Sequence, residues 1–154
     1  MHKTIILGIG NYLLSDEGVG IHAMNFIKNN NSNKKELCFY DAGTLSFSLT
    51  SWLDSTKNMI ILDAAILDKP AGSVEVFENE QLDKFAKTNK LSAHEVGLVD
   101  LLSIAHITNT IPKNYALIAI QPQSLDWGLE LTDNVKKSLP KVEIETFKLL
   151  KKWG

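Results

Sequence analysis

The sequence contains no arginine; all sixteen of its basic residues are lysine. Bidentate guanidinium clamps on phosphate or carboxylate are therefore unavailable from this chain. Cysteine is nearly absent as well. The single Cys38 excludes an internal disulfide and any multi-cysteine zinc or iron–sulfur site, and its place within an apolar stretch reads as buried and inert. Long apolar runs are missing: no stretch approaches the roughly 18 apolar residues that span a bilayer. The apolar run within Met1–Gly10 is also too short for a signal peptide. There is no surplus of positive charge. Eighteen acids against sixteen lysines give a formal net charge of −2, which argues against binding nucleic acid or an anionic membrane through a basic field. Repeats, linkers and low-complexity tracts are lacking too. What is present is an ordinary globular composition, 44% hydrophobic and 22% charged over 154 residues. The expectation is a single domain over 1–154 that needs no staple to fold, in a reducing, cytoplasmic location.

Short apolar runs alternate with helical spacings. Ile5–Leu7 reads as a strand buried on both faces, Met59–Leu62 as a further buried strand, Leu37–Tyr40 and Tyr115–Ile120 as strands, and Val74–Phe77 alternates like a strand with one wetter side. Between them, Gly18–Asn29 carries apolar residues at helical spacing, Phe47–Leu53 suggests a short helix, and Gln81–Thr88 holds a turn or two. Ser92 and Glu95 fit a capping box ahead of Leu98, Leu101, Leu102 and Ala105 on one face. A last helical region opens at Thr132, and Pro140 should break or restart it. The pattern predicts a three-layer α/β/α sandwich around a twisted, mostly parallel five-stranded sheet.

In such sheets, sites form beyond the carboxyl ends of the strands. The first strand leads into Gly8-Ile9-Gly10 and then Asp16-Glu17; the second ends at Asp41 and the third at Asp63. The helix after the fourth begins with His94. Four loops thus bring a carboxylate or an imidazole to one edge. Each residue also has a plain structural alternative. Asp16 fits an N-cap, Asp41 a turn-forming aspartate before Gly43, and Asp63 a cap on the next loop. A ring at a helix N-terminus should stay neutral, the form that binds metal or accepts a proton. Glu17, Asp63 and His94 form an oxygen-and-nitrogen set suited to nickel, zinc, manganese or iron, with coordination positions left open.

Other motifs fail. The third glycine of a dinucleotide fingerprint is replaced by Leu13, and Asp16 and Glu17 would repel a pyrophosphate. No phosphate loop and no Gly-x-Ser-x-Gly elbow occurs. The zinc-peptidase helix needs a second histidine where Leu98 stands. His2, His22 and His106 read as solvated or packing residues.

The chain resembles the nickel–iron hydrogenase maturation endopeptidases. The matching segments are Gly8–Asn11 with Leu13–Gly20, Asp41–Thr44, Ile61–Ala64, His94–Leu98 and Ile120–Pro122. Ala42 departs from the pattern, which often has a second glycine there. The resemblance implies an α/β sandwich with a five-stranded sheet. It also implies an endopeptidase that removes a C-terminal extension from the hydrogenase large-subunit precursor once nickel is in place. It makes Glu17, Asp63 and His94 the metal-binding and catalytic set, with Asp41 a further acid near them. Nickel would be supplied by the precursor, and other divalent ions can substitute in the isolated protein. Two other classes stay open: a non-proteolytic nickel-binding chaperone, and a metal-dependent amidase or peptidase acting on small substrates. Oligomeric state is not readable from these residues.

Overall fold

The structure is a computed structural model that describes residues 3–43, 53, 55–88 and 96–154. The described strands are β1 (Lys3–Ile9), β2 (Leu37–Gly43), β3 (Thr56–Ala64), β4 (Val74–Glu78) and β5 (Asn114–Ile120). They form one sheet in the order β2-β1-β3-β5-β4, parallel except for β4, which runs antiparallel on the edge beside β5. The expected three-layer architecture is what forms.

The layers follow from the two faces of the strands. Ile6, Ile60, Leu62 and Ile118 point to one face. There they meet α1 (Val19–Asn30), α4 (Asp133–Lys136) and α5 (Leu139–Trp153) through Val19, Ala23, Met24, Ile27, Val135, Val142 and Leu149. Ile5, Leu7, Met59, Ile61 and Leu117 point to the other face. They meet α2 (Glu80–Ala86) and α3 (Val96–Ile107) through Leu82, Ala86, Leu98, Leu101, Leu102 and Ala105. The central strands are apolar on both faces because both faces are covered. Every residue of β4 is only half-buried, as its alternation implied. Cys38 is half-buried rather than fully buried, because β2 is an edge strand. Pro140 restarts the chain as a helix: it occupies the first turn of α5, where a missing N–H costs nothing.

Chain order fixes where a site can form. From β1 the chain crosses over α1 to β2 on one side; from β3 it moves to β4 and β5 on the other. The carboxyl ends of β1 and β3 therefore flank the point where the winding reverses, the place where open α/β sheets carry their sites.

A candidate metal-reading site at the carboxyl edge

The segment that carries Glu17 is held at this edge by close backbone approaches. After β1 the chain turns through Asn11, whose Oδ1 accepts the Leu13 N–H at 3.0 Å, and enters a 3₁₀ turn over Ser15–Gly18. Gly10 adopts φ +130°, and a Cβ there would lie 1.9 Å from the Glu17 carbonyl oxygen. A Cβ on Gly20 would lie 2.0 Å from the Leu62 carbonyl oxygen. The first turn of α1 thus lies against the peptide that joins Leu62 to Asp63, and the 3₁₀ turn packs on β3. Glycine at both positions is what lets Glu17 and Asp63 share one edge.

Both acids are buried; Glu17 is 3% exposed and Asp63 0%. Asp63 stands level with Ala119 of β5, and its Oδ1 accepts the Ala64 N–H at 2.8 Å. Burying carboxylates is costly unless they are hydrogen-bonded or face a cation. Two of them on neighbouring segments are a costly arrangement for stability.

Asp16 behaves differently from its neighbour. It does not cap α1, whose N-cap is Gly18 with no side-chain hydrogen bond. Its carboxylate holds the loop after β5 instead. Oδ2 accepts the N–H groups of Gln123 at 2.9 Å and Ser124 at 3.0 Å and the Thr132 hydroxyl at 2.7 Å, while Oδ1 accepts the Thr132 N–H at 2.8 Å. Ser15 sits in the left-handed region at φ 51°, held there by its N–H to the Gly128 carbonyl and its hydroxyl to the Asp126 carbonyl, both at 2.8 Å. Sequence reasoning missed this role, because the partners lie more than a hundred residues away; two adjacent acids where one cap suffices were the available signal.

Asp41 is exposed, and its Oδ1 accepts the Gly43 N–H at 3.0 Å, the turn-forming geometry. It pairs with Gly8 in register and has the parity of Phe39, on the α1 side, whereas Asp63 has the parity of Ile61, on the α3 side. His94 and the capping box of Ser92 and Glu95 lie outside the described residues, as does the helix expected over 47–53 except for Leu53. What is described is the helix that follows. The Thr110 and Ile111 N–H groups bond the Ala105 carbonyl near the start of β5. His106, in the last turn of α3, also lies 3.3 Å from the hydroxyl of Tyr115 at the start of β5, so this end of α3 sits at the amino edge of the sheet. Among the described residues, no group of three His, Cys, Asp or Glu side chains stands ready to hold a metal.

Of the other histidines, His22 and His106 are described, and both are packing residues. His106 Nε2 bonds Asp83 Oδ1 at 3.2 Å and meets Tyr115 edge-on, and His22 is half-buried beside Leu139. Clefts of about 450 Å³ between α2 and α3 and about 470 Å³ at the amino ends of β1–β3 are not lined by Glu17 or Asp63. No helix among the described residues is long and apolar enough to cross a membrane.

Comparison with known proteins points the same way as this edge. A family described as hydrogenase maturation protease matches residues 21–148. The hydrogenase 2 maturation protease of Escherichia coli is 30% identical over 135 residues, covering 87% of this chain and 82% of that protein. The hydrogenase expression/formation protein HupD of Rhizobium leguminosarum is 30% identical over 153 residues, covering 99% of this chain and 76% of that protein. The solved structure of the hydrogenase maturating endopeptidase HybD from E. coli superposes with a TM-score of 0.87 at 25% identity, covering 99% of this chain and 94% of that one.

Proposed function

We infer what this edge does from one premise: the chain belongs to the hydrogenase maturation protease family. It is a hydrogenase maturation endopeptidase, and its substrate in this reading is the precursor of a hydrogenase large subunit, from which it removes a C-terminal extension. The reading is supported by two buried acids, Glu17 and Asp63, carried by two neighbouring segments at the carboxyl edge where the winding reverses.

The chemistry follows from the donor set. Nickel arrives as part of the substrate, held by precursor cysteines. Glu17, Asp63 and His94 supply oxygen and nitrogen donors to its open positions. A precursor without nickel offers these groups nothing to bind, so engagement reports that metal insertion is complete. Engagement also positions the scissile peptide over the carboxyl edge. Water then adds to its carbonyl carbon, the C–N bond breaks, and the departing amine takes up a proton. Asp41, fixed by its bond to the Gly43 N–H, shapes the loop beside β1.

The test is incubation with matched precursor, nickel-loaded or nickel-free, followed by intact-mass measurement of the large subunit. Shortening of the loaded form alone is expected. Binding without shortening would instead make the protein a nickel-binding chaperone. Turnover of short unrelated peptides by a protein that retains metal on purification would make it a general metal-dependent peptidase.

A further inference from the structure

Five large apolar side chains stand exposed on the two loops that frame this edge: Tyr12, Leu13, Leu125, Trp127 and Leu129, with Trp127 82% exposed. Scattered apolar residues on a surface need no explanation, but these are joined. Leu14 and Gly128 form a parallel bridge, the Gly128 N–H bonds the Leu13 carbonyl at 2.9 Å, and the Ser15 N–H bonds the Gly128 carbonyl at 2.8 Å. Leu13 and Trp127 each precede a bridge residue and so lie side by side. Asp16 fastens the remainder of the second loop from below. The result is a braced apolar ridge whose first strand runs directly into Glu17.

The two loops that form the ridge carry charge of one sign. The exposed charged residues of the second loop are Asp126 and Glu130; α4 follows with Asp133 and with Lys136, which lines the same hollow as Glu130. No lysine occurs from Thr4 to Ile27 or from Asn114 to Val135. The five side chains together expose on the order of 500 Å². That is less than the roughly 800 Å² per partner of a standard stable interface, and suits a chain segment better than a permanent second copy.

We propose that this ridge docks an apolar segment of the polypeptide being processed, one flanked by lysine or arginine, and so sets affinity for the precursor while Glu17 and Asp63 read its metal. This rests on the functional reading above. The client segment lies across Trp127 and Leu129, its basic flanks face Asp126 and Glu130, and the adjoining chain reaches the carboxyl edge beside Glu17.

Processing kinetics on nickel-loaded precursor test it. The double variant Trp127→Ser, Leu129→Ser, checked for native circular dichroism, should raise KM tenfold or more with kcat within twofold. Asp126→Lys with Glu130→Lys should raise KM severalfold, most at low salt. Ile107→Ser, which removes a side chain 81% exposed at the C-terminal end of α3, should leave KM unchanged. If the double variant does not fold, Leu129→Ser alone carries the test and should raise KM at least threefold. An unchanged KM in folded ridge variants overturns the proposal. So does sedimentation showing that wild type dimerises through Trp127 while KM ignores the substitutions. Failure of wild type to shorten loaded precursor would instead count against the functional reading itself.

Discussion

At the amino edge of the sheet, polar side chains meet each other. Asn114 Nδ2 donates to Asn58 Oδ1 at 2.8 Å, Asn58 Nδ2 donates to Thr4 Oγ1 at 3.3 Å, and the Tyr115 hydroxyl donates to Asp83 Oδ2 at 2.7 Å. At the carboxyl edge, acids meet main chain. Asp16 and Asp63 accept backbone N–H groups, and Gly10 and Gly20 let carbonyls approach where no Cβ fits. The first arrangement joins neighbouring strands and helices with short-range pairs. The second holds long loops in place and leaves two further acids buried at the same edge. Polar burial at the amino edge is an account of stability; at the carboxyl edge it is an account of stability for Asp16, while Glu17 and Asp63 are the acids for which we propose chemistry.

Substitutions can break or sharpen this contrast. The largest effect is expected from Gly20→Ala, whose Cβ would sit against the Leu62 carbonyl oxygen. Loss of about 4 kcal/mol or failure to fold is expected in urea titration, because backbone blocks backbone. Next is the pair of neighbouring acids. Asp16→Ala removes charge-assisted bonds to the 123–132 loop and should cost about 3 kcal/mol, with the loop becoming the first site of limited proteolysis. Glu17→Gln should do the reverse: stability within about 1 kcal/mol of wild type, but processing of loaded precursor down about a hundredfold. Equal behaviour of the two variants would erase the distinction between them.

The smallest effect is at the amino edge. Tyr115→Phe should cost about 1 kcal/mol at neutral pH and leave processing alone. Burial, then the hydrogen bond and charge of Asp83, then the charge of Glu80, push the Tyr115 phenol well above its ordinary value of 10.0. The folded protein keeps that proton where the unfolded chain releases it. Stability contributed by Tyr115 is therefore intact below about pH 10 and falls as pH rises above it. Tyr115→Phe should flatten that fall in chemical denaturation at pH 9 to 11.

Local patterns made the sheet legible in the sequence. Met59–Leu62 and Tyr115–Ile120 read as strands from short apolar runs ended by Asp63 and by Gln121-Pro122, and Val74–Phe77 showed its wetter side by alternation. The position of Asp63 followed, since it ends such a strand. Asp16 was not legible in the same way. A carboxylate before a helix has a local explanation, and nothing nearby in sequence signals Thr132 or Gln123 as its partners. The ridge was hidden for the same reason: Leu13 and Trp127 become neighbours only when two loops pair across the fold. Cys38 was misjudged because a run of apolar letters does not show which strand lies at an edge.

The central claim is that carboxylates of this edge bind the metal carried by the client. X-ray absorption at the nickel edge, on loaded precursor alone and bound to protein before cleavage, tests it most directly. Binding should add oxygen and nitrogen donors to a sulfur-rich sphere, and Asp63→Ala should remove part of that gain. A nickel coordination sphere that stays the same when wild-type protein binds would contradict the account.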